Sequence, residues 1–124
     1  MDAAFRASLE KLGADVDNTL HRFMENEALY LKFLKKFQDD QSFSNIQKYL
    51  EEQNAEEVFK SAHTLKGVAA NLGLDPVARY ASDLTEMLRG KTSLAEADAE
   101  SLNTAKTELE KAYHAFVGIL TEHL

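Results

Sequence analysis

The sequence predicts an all-α protein: an antiparallel up-and-down four-helix bundle over residues 26–124, with an additional N-terminal helical segment over 1–25, together one compact domain. Three observations predict it. Apolar residues recur at three- and four-residue steps in four separate stretches. The one proline and five glycines fall mostly where such helices would begin or end. No stretch carries the two-residue alternation of a half-buried strand, and no repeat or low-complexity segment interrupts the pattern.

Residues 1–24 read as helix of less regular period, broken at Gly13. Tyr30, Phe33, Leu34 and Phe37 then form a seam on a helix spanning 26–39. Phe43, Ile46 and Leu50 fit either a short separate helix or a continuation of 26–39 beyond a kink near Gln41 and Ser42. Val58, Ala62, Leu65, Ala69 and Leu72 give the seam of helix 54–72, with Asn54 and Glu57 at weak capping-box spacing. Asp75-Pro76 reads as an N-cap followed by proline at the first helical position, and Gly90 marks the end of that helix. Val77, Tyr80, Ala81, Leu84 and Leu88 are its apolar face. Ser93-Leu94-Ala95-Glu96 has capping-box spacing ahead of a long last helix, whose seam is Leu102, Ala105, Leu109, Ala112, Phe116 and Ile119. The connections at Gly73-Leu74 and Gly90–Thr92 are short, so successive helices run antiparallel.

Composition narrows the function. A chain of 124 residues, 44% apolar and 28% charged, supports one folded core rather than two. Fourteen Lys and Arg against 21 Asp and Glu leave a net charge of −7, unsuited to a nucleic-acid backbone and favouring protein partners or small ligands. No run is long enough to span a bilayer, and Met1–Arg6 lacks the apolar core of a signal peptide. The absence of cysteine excludes disulfides and thiolate metal sites and fits a reducing cytoplasm.

The chemistry concentrates in Ala62-His63-Thr64-Leu65-Lys66-Gly67. At 100° per residue, His63 points away from the apolar seam, with Phe59, Lys60, Lys66, Gly67, Ala70 and Asn71 around it. Neutral imidazole is nucleophilic, and with an unperturbed pKa of about 6.5 it is mostly unprotonated at neutral pH. Attack on phosphorus would give a phosphoramidate carrying a charge of roughly −1.5 to −2, by analogy with other phosphorylated side chains. Lys66, one turn on, can steady those oxygens. Gly67 leaves a gap through which a partner's active site can approach, although glycine within a helix costs about 0.5–1 kcal/mol relative to alanine. Phe59 and Ala70 would supply an apolar docking rim.

The run Ala62-His63-Thr64-Leu65-Lys66-Gly67, then Ala69-Ala70-Asn71-Leu72-Gly73, closely resembles the histidine-containing phosphotransfer (HPt) domain family, over roughly residues 26–122. The resemblance implies a four-helix bundle with His63 as phosphoacceptor, relaying phosphoryl groups between aspartates of receiver domains. It also implies Lys66 as supporting cation, Gly67 as clearance residue and Gly73 as the end of the phosphoacceptor helix. The expected partners are response-regulator receiver domains and a (hybrid) histidine kinase, with Mg2+ on the receiver and no cofactor or metal on this chain. Such a domain is a phosphocarrier rather than an enzyme, expected as a cytoplasmic monomer with neither nucleic acid nor membrane as partner. The start at Met1 and the extra N-terminal segment point towards a free-standing protein.

Plainer readings stand beside these. Lys60 suits a solvated face better than a second phosphate contact, and Phe59 fits packing on a neighbouring helix as well as docking. Gly67 also fits a close helix–helix contact. His21, His114 and His123 lack the flanking pattern and read as structural or solvated. Glu110 and His114 have metal-ligand spacing but no third ligand, and the acidic residues at 96–100 and 108–110 read as the wet face of the last helix. A helical adaptor that binds signalling partners without phosphotransfer is the alternative function; an intact His63, Lys66 and Gly67 argues against it.

Overall fold

A computed structural model describes all 124 residues. Its helices are α1 (Ala3–Lys11), α2 (Val16–Arg22), α3 (Glu27–Phe37), α4 (Ser42–Glu51), α5 (Ala55–Asn71), α6 (Asp75–Leu88) and α7 (Ala99–His123), with a 3-10 turn at Leu94–Glu96. Helices α4 to α7 pack each against the next as an antiparallel up-and-down bundle, and the α5–α6 hairpin is its most extensive interface. No helix is long and apolar enough to cross a membrane.

The N-terminal segment is not an appendage. Phe5, Leu9, Ala14, Val16 and Leu20 join the same core of 24 buried side chains as Leu65, Leu84 and Leu109, and α1 packs on α7. Gly13, at φ +102°, breaks the segment into two helices, a conformation that costs glycine little. The ambiguous stretch after α3 resolves as a separate helix. The Ser42 N–H donates to Asp40 Oδ1 at 2.8 Å, which starts α4 afresh.

Helix α5 is held at both ends. Asn54 Oδ1 accepts from the Glu57 N–H at 3.2 Å, and Glu56 and Glu57 complement the positive end of the helix dipole. At the other end Gly73, at φ +72°, forms a Schellman turn, with Leu74 N–H donating to Ala69 O and Gly73 N–H to Ala70 O. Side chains from the N-terminal half of the chain donate to the same end. Arg22 Nη2 donates to Ala70 O and Asn71 O at 3.1 and 3.2 Å, and the Tyr30 hydroxyl to Leu72 O at 3.2 Å.

Three expectations need correction. Asp75 is the first residue of α6 rather than its cap. Leu74 occupies the cap position, buried and without a side-chain bond, because that residue also closes the Schellman turn of α5. The Ser93 box caps only the 3-10 turn, where Ser93 Oγ accepts from Ala95 N–H and Glu96 turns back to Thr92. The last helix begins later, capped by Asp98, which accepts from Ser101 N–H at 3.0 Å, so Glu96 lies outside it. Along α7, Leu120 is fully buried where Ile119 was expected, with Ile119 half-buried. Alternating steps of three and four average less than 3.6 residues per turn, so a seam extrapolated that way drifts over a 25-residue helix.

Candidate functional site

All five seam residues of α5 (Val58, Ala62, Leu65, Ala69 and Leu72) are buried, which turns the opposite face to solvent. His63, Lys60, Gly67, Ala70 and Asn71 are exposed on it, and Phe59 and Lys66 are half-buried. The predicted set thus shares one open face. The larger clefts, of about 550 and 560 Å³, lie elsewhere, where α7 meets α4 and the 3-10 turn. An exposed imidazole that lines neither cleft suits delivery by a macromolecule rather than capture of a small molecule in a pocket.

The Phe59 and His63 rings lie near parallel, 12° apart with centroids at 6.3 Å. Phe59 also packs on the core with part of its surface, so its packing role is real and its exposed edge flanks the imidazole. Thr64 turns its hydroxyl back to Lys60 O at 3.1 Å and takes no part. Lys60 is occupied by Glu56 and Glu57 at 3.4 and 3.6 Å, and these carboxylates raise its pKa. That pairing draws its ammonium toward the start of α5, as the solvated-face reading expects. Lys66 has no carboxylate partner and is the cation left available beside His63.

Gly67 answers a sharper question. A Cβ built there would meet nothing within 4 Å, so no neighbouring helix needs glycine at that position. The helix-contact reading fails, and the space over Gly67 opens to solvent. The other histidines are differently placed. His123 stacks on Phe5 at 4.9 Å, His114 meets Phe43 edge-on at 5.3 Å, and His21 lies 3.8 Å from Glu25. No group of three or more His, Asp or Glu gathers as a metal site, so Glu110 and His114 find no third ligand.

Two residues at the C-terminal end of α6, Glu86 in its last turn and Arg89 just after it, escaped sequence reasoning at this face. Glu86 holds Arg89 through two bonds, Oε1 to Nη2 at 2.9 Å and Oε2 to Nε at 3.3 Å. The Arg89 guanidinium lies 5.3 Å over the Phe59 ring. Hairpin counting carries the only signal for them. His63 lies ten residues before Gly73 and Glu86 thirteen after it, so antiparallel pairing brings them to similar heights.

An all-α bundle presenting an unenclosed histidine, with a free lysine one turn on and clearance beyond it, has the features of a phosphocarrier. The family model for the Hpt domain matches residues 28–116, most of the chain. The chain belongs to the Hpt domain family, whose members serve histidine phosphotransfer in phosphorelays and interact with kinases and receiver domains of two-component systems. Searches of curated proteins and of solved structures returned no match.

Proposed function

We propose that this chain is a phosphorelay intermediate in which His63 accepts a phosphoryl group from one receiver aspartate and passes it to another. The observation that carries this reading is the open face of α5: His63 exposed, Lys66 uncommitted, and Gly67 with nothing within 4 Å of a Cβ position. A ring nitrogen of neutral His63 attacks phosphorus, and the P–O bond to the donor aspartate breaks with its electron pair leaving on the carboxylate. The proton on the other ring nitrogen stays in place, so charge balances without a base. Lys66 steadies the transferring oxygens from this side. The receiver contributes the aspartate and Mg2+, which supply most of the transition-state charge stabilisation. Phe59, Ala70 and Asn71 form the docking rim, and the domain works as a monomer that meets each partner transiently.

Intact-mass measurement after incubation with phosphorylated receiver domains and magnesium tests this. The wild type gains one acid-labile phosphoryl group, and His63→Gln, folded to the same melting temperature, gains none. An equal adduct on His63→Gln contradicts the assignment. No adduct on folded wild type from any of several receivers favours the binding-only adaptor.

A further inference from the structure

The Glu86–Arg89 pair at the end of α6 has no part in the transfer chemistry described so far, yet it stands at the rim of the His63 face. Its parts are linked in space: Glu86 grips Arg89 at 2.9 and 3.3 Å, Arg89 covers the Phe59 ring at 5.3 Å, and Phe59 parallels His63 at 6.3 Å. Arg89 follows the last turn of α6, just before Gly90, and its side chain is exposed, so it can exchange rotamers.

Resting on His63 as acceptor, we propose that Glu86 and Arg89 form an electrostatic gate that sets how strongly the phosphoryl group is held on His63. In the unphosphorylated protein Glu86 occupies Arg89. A phosphoryl dianion on His63 competes for the same guanidinium, whose planar fork matches phosphoryl oxygens as well as it matches a carboxylate. Once Arg89 turns to the phosphoryl group, Glu86 is left as an unpaired like charge beside it. Arg89 therefore favours the phosphorylated state and Glu86 opposes it, so the group is carried without being trapped. The surroundings agree. The Glu86 carboxyl is held below its usual range, first by its bonds to Arg89 and their charge, then by Lys66 and His63, which places it within the field of both. Lys60 is drawn the other way, toward the start of α5, by Glu56 and Glu57.

The decisive quantity is the equilibrium distribution of phosphoryl group between His63 and the aspartate of one receiver domain, read by intact mass. With both proteins well below the concentration at which they dock, that equilibrium depends on the free proteins alone, so altered docking or altered rates leave it unmoved. Removing one charge near a dianion on a surface of moderate dielectric is expected to shift it about three- to tenfold. Glu86→Gln shifts it toward phosphohistidine, Arg89→Ala shifts it toward the receiver, and Arg89→Lys, which keeps the charge, lies between Arg89→Ala and wild type. Either of the first two variants matching wild type, or moving the opposite way, overturns the gate while leaving His63 as acceptor. A wild type that takes no phosphoryl group overturns both.

Discussion

Gly67 and Gly73 lie six residues apart on one helix and its exit, and they have opposite reasons to be glycine. Gly73 is hemmed in: its φ of +72° lies in the left-handed region, and a Cβ there would collide with the Thr19 hydroxyl and lie 2.7 Å from Asp15 O. Gly67 is ordinary helix with open space above it. The C-terminal end of α5 is therefore fixed by the fold, through Arg22, Tyr30 and the α2 start that presses on Gly73. The His63 face is free of such demands. The internal packing of the chain needs one glycine and leaves the other to be explained by a partner.

Substitution can break this contrast. Gly73→Ala should destabilise the fold by about 2–5 kcal/mol, combining the left-handed penalty with overpacking, measured by denaturant unfolding. A loss under 1 kcal/mol would show that the junction relaxes and that the two glycines differ less than the geometry says. Gly67→Leu should leave the fold intact but slow phosphoryl acceptance about a hundredfold, since displacing the reacting groups by an ångström has that effect. Unchanged transfer kinetics would remove the clearance role. Gly67→Ala should raise stability by about 0.5–1 kcal/mol, the helix gain with no clash to offset it.

The smallest effect sharpens the picture of what holds the frame. Hydrogen bonds from Ser101 hold the Asp98 carboxyl below its usual range, and those from Asn18 do the same for Asp15. Their folded pKa values lie below the unfolded ones. This stabilisation is complete above the unfolded value of about 4 and is lost as pH falls through the lower folded value. Asp75 acts in the opposite sense, its carboxyl raised by burial and by Asp15, so protonating it in acid favours the fold. Asp98→Asn keeps a capping oxygen without the titration. Its melting temperature should fall less steeply than that of wild type below pH 4, and parallel curves would show that Asp98 contributes nothing to acid sensitivity.

The α5 seam was fully legible because five buried positions at helical spacing leave only one outward face, and His63 lies on it. Helix ends were less legible. Asn54 caps as its spacing says, whereas Leu74 serves two helices at once and displaces Asp75 from the role its sequence suggests. Glu86 and Arg89 left no trace beyond the hairpin count, and Arg22 left none. Their importance arises from where α6 and α2 bring them against α5, and as exposed charges they leave no periodic trace.

The most direct test of the central claim is to locate the phosphoryl group. Wild-type protein phosphorylated by a receiver domain, digested without exposure to acid, can be mapped across His21, His63, His114 and His123 by tandem mass spectrometry. The open face of α5 predicts the group on His63 alone. A phosphoryl group on any of the other three, with His63 unmodified, would contradict the account.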